Sequence, residues 1–235
     1  MTWGQALADR AESLFAAHAD AEKATQMAAY MKDHFAYFGL PQPARKALVR
    51  DLKLGRPDRA QLLASTEALW AKEQRELHYL AIDLLIKHQK VLEEQDLPWL
   101  RGLLTTHSWW DSVDPLASHV LGSLLWRYRE LCSHLDDWIA CPNLWLARSA
   151  LLFQLRYKDE TDFERLSRYI LTVCHSGEFF LRKAIGWALR EYSKHQPDRV
   201  VSFVETNADK LSGLSRREAL KWLERKKKSR SKPGT

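Results

Sequence analysis

Apolar residues recur along this chain at steps of three and four, the spacing of a helix that buries one face. Leu77-His-Tyr-Leu-Ala-Ile-Asp-Leu-Leu-Ile86 and Ala147-Arg-Ser-Ala-Leu-Leu-Phe153 are two clear cases. No run alternates Val, Ile or Thr with polar residues, so nothing predicts strands. Glycine and proline are few and fall between the periodic segments, as helix punctuation does. Examples are Gly39-Leu-Pro-Gln-Pro43, Gly55-Arg-Pro57, Pro142, Gly177, Pro197 and Gly213. The pattern predicts an all-α chain. Its helices fall near 3–18, 21–37, 43–53, 59–70, 73–90, 97–106, 108–129, 133–140, 144–158, 161–175, 178–195, 198–207 and 215–227.

The later helices repeat. Arg148-Ser-Ala-Leu, Arg182-Lys-Ala-Ile and Arg217-Glu-Ala-Leu recur at spacings of 34 and 35 residues, and Asp114 stands 34 before Arg148. A period near 35 made of two helices indicates an α-solenoid, in which each pair buries its face by stacking on its neighbours. The Trp/Leu/Gly/Tyr signature of the tetratricopeptide array is absent, so HEAT-like pairs are the better description. Stacking would set Asp114, Arg148, Arg182 and Arg217 at equivalent positions lining one concave groove. The same spacing also suits arginines that form salt bridges between repeats, and periodicity leaves both readings open.

Charge changes this picture only at the end of the chain. The net charge is +6, and residues 225–235 hold Arg225, Lys226, Lys227, Lys228, Arg230 and Lys232 with no acid. Residues 141–224 carry 14 basic and 11 acidic side chains, and residues 1–140 carry 16 and 19. The sequence therefore reads as one repeat domain over 1–224 and a basic C-terminal tail over 225–235, expected to be disordered. Such a tail attracts any polyanion and is weak support for nucleic acid. No apolar run is long enough for a membrane span, and Met-Thr-Trp-Gly-Gln-Ala lacks the pattern of a signal peptide. Cys132, Cys141 and Cys174 have no metal-ligand spacing and the nine histidines form no HExxH. The expectation is a soluble cytoplasmic protein without metal or other cofactor.

Candidate chemistry concentrates in Ser108-Trp-Trp-Asp-Ser-Val-Asp-Pro115. In a helix Trp110 and Asp114 are four apart and share a face, while Trp109 and Val113 share the adjacent one and pair as core. Trp187 lies two repeats further on, beside Gly186, which lets backbone or ligand approach closely. An aromatic pair flanking an acid can hold a cation by its ring faces while the carboxylate compensates charge. The structural alternative is that the tryptophans fill gaps between helices and that Asp114 caps a helix opening at Pro115. Residue physics alone favours that alternative.

Five spaced segments resemble the AlkD family of DNA glycosylases. They are Ser108-Trp-Trp-Asp-Ser-Val-Asp114, Asn143-Leu-Trp-Leu-Ala-Arg148, Leu152-Phe-Gln-Leu-Arg-Tyr-Lys158, Lys183-Ala-Ile-Gly-Trp-Ala-Leu-Arg-Glu-Tyr192 and Leu214-Ser-Arg-Arg-Glu-Ala219. Met27-Ala-Ala-Tyr-Met-Lys-Asp-His-Phe35, followed by Gly39, is similar as well, and the resemblance spans roughly residues 10–225. It implies a right-handed α-solenoid of HEAT-like helix pairs whose concave groove holds duplex DNA. It also implies release of cationic N3- and N7-alkylated purines, with Trp110, Asp114 and Trp187 as the catalytic set. Arg148 is the implied groove arginine, and Tyr30, Arg156, Lys183, Arg190, Arg216 and Arg217 are expected near the DNA. Pro115 directly after Asp114 departs from the family pattern.

Those residue types suit the reaction. An alkylated purine is already cationic and needs no acid to leave, so the charge that develops is on the deoxyribose. A fixed carboxylate beside the sugar stabilises it, the counterpart for a cation of an oxyanion hole. Asp114 takes that role and could position the attacking water. Trp110 and Trp187 would hold the sugar and lesion through CH–π and cation–π contacts, the latter worth about 0.5–2 kcal/mol each. Glycosylases usually extrude the base into a tight pocket, and nothing in this sequence signals one. The expected partner is duplex DNA containing alkylated purines, met by a monomer with no obligate protein partner and no membrane. The rival expectation is a non-catalytic helical-repeat scaffold that binds DNA or protein.

Overall fold

A computed structural model describes the backbone of residues 3–52 and 54–230 and side chains as far as residue 226. Fourteen α-helical segments and no strand occur among the described residues, and Ala36 and Gln74 form an isolated bridge. Contacts divide the chain into two compact units, 1–93 and 94–235, where the sequence reading takes 1–224 as one domain. The tail, expected to be disordered from 225, continues as helix to Arg230. Residues 231–235 lie outside the described residues.

The first unit contains α1 (Trp3–Ala16), α2 (Ala21–Tyr30), α3 (Gln42–Asp51), α4 (Arg59–Trp70) and α5 (Arg75–His88). Asp58 opens α4 with a capping box, accepting from the Gln61 amide at 2.8 Å while the Gln61 side chain accepts from the Asp58 amide at 3.1 Å. Glu76, fully buried at the start of α5, accepts from the backbone amides of Phe38, Gly39 and Leu40 at 2.9–3.1 Å and fixes that loop. Helix α2 ends at Tyr30, short of the expected 37. Lys32 and Asp33 there adopt left-handed backbone angles, φ 59° and 56°, which no α-helix accommodates.

The second unit contains α6 (Leu97–Thr105), α7 (Trp110–Pro115), α8 (Gly122–Arg127), α9 (His134–Ala140), α10 (Leu144–Leu152), α11 (Phe163–Val173), α12 (Phe179–Ser193), α13 (Pro197–Thr206) and α14 (Gly213–Arg230). Asn143 caps α10, accepting from Trp145 and Leu146 at 3.0 and 3.1 Å, and Asp162 caps α11, accepting from Arg165 at 2.9 Å. Helix α11 buries Phe163, Leu166, Tyr169, Ile170 and Val173, a stripe at helical spacing. The expected single helix over 108–129 is interrupted between α7 and α8 by a π-helical turn, Leu116–Leu121. Pro115 supplies no N–H for the α-helical ladder, and the wider turn carries the chain past it. The helix expected over 144–158 stops at Leu152, and Lys158 beyond it is left-handed at φ 55°. Helix α10 packs on α6, α7, α9 and α12, and α12 packs most extensively on α14.

Candidate functional site

Asp114 sits in the last turn of α7 and is buried, 8% exposed. It is not a helix cap: α7 opens at Trp110, after Trp109, and Asp114 lies inside it. Arg148, at the centre of α10 and also buried, reaches across one sequence period. Its Nε donates to Asp114 Oδ1 at 2.6 Å and its Nη2 to Oδ2 at 2.7 Å. The remaining guanidinium nitrogen, Nη1, donates to the Phe180 carbonyl at the start of α12. One arginine thus ties three helices to one point, with the fork geometry that suits a carboxylate.

Burial pushes the Asp114 carboxyl above its ordinary range, the hydrogen bonds and charge of Arg148 draw it back, and Asp111 adds a small upward push. The net displacement is upward. Both oxygens accept N–H donors from Arg148, an arrangement that favours the ionised carboxylate over the acid. The Ser118 hydroxyl, in the π turn, donates to the Asp114 backbone carbonyl at 2.7 Å.

An aromatic cluster adjoins this pair. Trp109, Trp145 and Phe180 have ring centroids 5.0–5.6 Å apart, and Arg148 Cζ lies 5.8 Å from the Phe180 ring. Phe179 packs edge-on against Phe180 and is 58% exposed. Trp109 was expected to share a core face with Val113. Val113 is fully buried, but Trp109 is only half-buried because it precedes the helix rather than lying in it. Trp110 is half-buried one turn before Asp114, and Trp187 is half-buried on α12.

Lys183 and Arg190 lie on the same stripe of α12 as Trp187, four residues before it and three after. Both reach Glu218 on α14: Lys183 Nζ is 3.0 Å from Oε1, Arg190 Nη1 donates to Oε2, and Lys221 Nζ is 3.6 Å from Oε1. Burial pushes the Glu218 carboxyl up, but Lys183, then Arg190 and Lys221, outweigh it and hold it below the usual range. Gly186 permits this arrangement. A Cβ there would lie 2.5 Å from Glu218 Cβ and 2.9 Å from the Ser215 carbonyl oxygen. The Ser215 hydroxyl in turn donates to the Arg182 carbonyl at 2.9 Å, fixing the start of α14 against α12.

Four of the remaining candidates, Arg156, Arg216, Arg217 and Tyr30, are exposed. Arg156 is exposed in the turn after α10, and its charge, after burial, helps to depress the His119 pKa. Arg216 and Arg217 are exposed on the first turns of α14, and Arg182 donates to the Ser176 carbonyl at 2.9 Å. Tyr30 is 71% exposed at the end of α2, in the first unit. Of the four residues at the repeated level, Asp114 and Arg148 pair, which is the salt-bridge reading of the period. Sequence reasoning missed Phe180, Trp145 and Glu218. Phe180 acts through its carbonyl, which side-chain identity does not encode. The one acid among Arg216, Arg217 and Lys221 was a readable signal for Glu218. Among the described residues no group of three or more His, Cys, Asp or Glu side chains could hold a metal ion.

Fold and site together define an all-helical protein with a buried Asp–Arg pair beside an aromatic cluster and a cationic cluster on α12 and α14. The chain belongs to the DNA alkylation repair enzyme family, whose sequence profile matches residues 11–223. It is similar to a solved structure described as a predicted DNA alkylation repair enzyme from Enterococcus faecalis, with 32% identity and TM-score 0.78, covering 87% of this chain and 96% of that one. Two proteins of Streptococcus mutans share the fold: smu.31, at 16% identity and TM-score 0.57 over 93% and 98% of the chains, and AlkD2, at 20% and 0.54 over 75% and 85%. No curated protein matches the sequence. No described helix is long and apolar enough to cross a membrane.

Proposed function

We propose that this member of the family is a DNA glycosylase that hydrolyses the N-glycosidic bond of cationic N3- and N7-alkylated purines in duplex DNA. The observation that carries the reading is the buried Asp114 carboxylate, held on both oxygens by Arg148 one helical turn from Trp110. A carboxylate fixed before the reaction begins needs no reorganisation as positive charge builds on the deoxyribose, which is the condition for effective electrostatic stabilisation. Each oxygen keeps a second lone pair for the attacking water. Water adds at C1′ as the bond to the base breaks. The departing purine takes the bonding electrons and becomes neutral, and the water proton passes to solvent or to Asp114.

In this reading the helix pairs stack as a HEAT-like solenoid and present Trp110, Asp114 and Trp187 to a groove that holds the duplex. Trp110 and Trp187 offer ring faces to sugar and lesion. Arg190, Lys183, Arg216, Arg217, Arg156 and Tyr30 contact the backbone and set register without reading bases. The lesion stays largely stacked, reached from the minor-groove side, and no cofactor takes part.

One observation favours a second reading. With both oxygens bonded to Arg148 and little exposure, Asp114 could be a purely structural ion pair in a non-catalytic scaffold. Incubating the protein with a duplex containing a single N7-methylguanine decides between them. Free 7-methylguanine and an alkali-labile abasic site are the expected products. A folded, DNA-binding protein that yields neither would establish the scaffold.

A further inference from the structure

Lys183 and Arg190 are separated by nearly two turns of α12, yet both end on the carboxylate of one residue of another helix. Lys221 completes the set from α14 itself. Glu218 is only 13% exposed, whereas Lys183, Arg190 and Lys221 are 38%, 26% and 45% exposed. The acid therefore lies inward of the cations it gathers. Three cations around one carboxylate leave the cluster two positive charges in excess, at a stripe that also carries Trp187.

We infer that Glu218 is a positioning residue: it pre-sets Lys183 and Arg190, on either side of Trp187, to receive a phosphate of the DNA backbone. This rests on the DNA reading above and adds a residue to it. Long cationic side chains lose substantial rotamer freedom when they bind. Tethering their heads to a fixed inward acid removes much of that loss before DNA arrives, the general advantage of preorganisation. A plain electrostatic account predicts the opposite sign, since an acid among phosphate contacts should only repel DNA.

The test is the salt dependence of binding to an undamaged fluorescent duplex, measured with the full chain for wild type, Glu218→Gln, Arg190→Met and the double variant. Thermal unfolding of each protein checks that it is folded, and Glu218→Asp serves as a conservative variant that keeps the charge. A glutamine offers one acceptor oxygen and no charge, so it cannot hold three cations. Arg190→Met should lower the slope of log K against log salt by about one, the signature of a lost phosphate contact. Glu218→Gln should weaken binding severalfold although it removes a negative charge. In that background Arg190→Met should cost at least fivefold less than in wild type, the non-additivity of residues acting as a unit. Glu218→Asp should restore part of the coupling.

Tighter binding by Glu218→Gln, or equal costs of Arg190→Met in both backgrounds, overturns the inference and leaves the DNA reading standing. A wild type that binds no duplex at all overturns both.

Discussion

At the scale of single residues, the buried Asp114 carboxylate and Arg148 guanidinium are matched to one another. Removing one partner of a buried ion pair leaves the other uncompensated, which costs about 3–5 kcal/mol, whereas removing both relieves the penalty. Arg148→Met should therefore lower the free energy of unfolding in urea by that amount, and Asp114→Asn with Arg148→Met should recover most of it. A loss under about 1 kcal/mol in the single variant would show that the pair contributes little to holding α7, α10 and α12 together. Asp114 and Arg148 were both legible in the sequence as occupants of one repeat level, 34 residues apart. Their direct contact was legible only as one of two alternatives, because spacing gives the level of a side chain and not its direction. Phe180 was not legible, since a backbone carbonyl is the same in every residue.

At the scale of elements, apolar spacing fixed the number and order of helices well and their ends less well. Helix α2 is shorter than its apolar spacing suggests, because that spacing continues past Tyr30 while the left-handed Lys32 and Asp33 carry no glycine or proline to announce them. The π turn after Pro115 was likewise hidden. Proline signals an interruption, but whether a helix stops, kinks or widens depends on what packs around it, here buried Leu116, Val120 and Leu121. Gly186 was legible as a point of close approach, and its neighbour proves to be α14. Gly186→Ala should force α12 and α14 apart and destabilise the second unit by about 1–3 kcal/mol, the usual cost of overpacking. Calorimetry checks this, and an unchanged melting temperature would mean that the interface yields without cost.

At the scale of the molecule, charge is distributed unevenly, and stability should reflect it. The pKa of Glu218 in the folded protein lies below the ordinary glutamate value of 4.5, so the native state binds its proton less tightly than the unfolded chain does. Its contribution to stability is full above about pH 4.5 and is lost as pH falls through the depressed value. Urea midpoints measured from pH 6 downward should fall in that range, and Glu218→Gln should flatten the fall. The same decline in the variant would assign it to other carboxylates. The central claim remains that Asp114 serves chemistry rather than affinity. The most direct measurement compares Asp114→Asn with wild type on a duplex containing one N7-methylguanine, taking the single-turnover rate of base release and the Kd in parallel. The expected rate for the variant is lower by about 10²–10³, as for loss of one electrostatic stabiliser, with Kd changed by less than about threefold. Equal losses in rate and affinity, or none in rate, would contradict that claim.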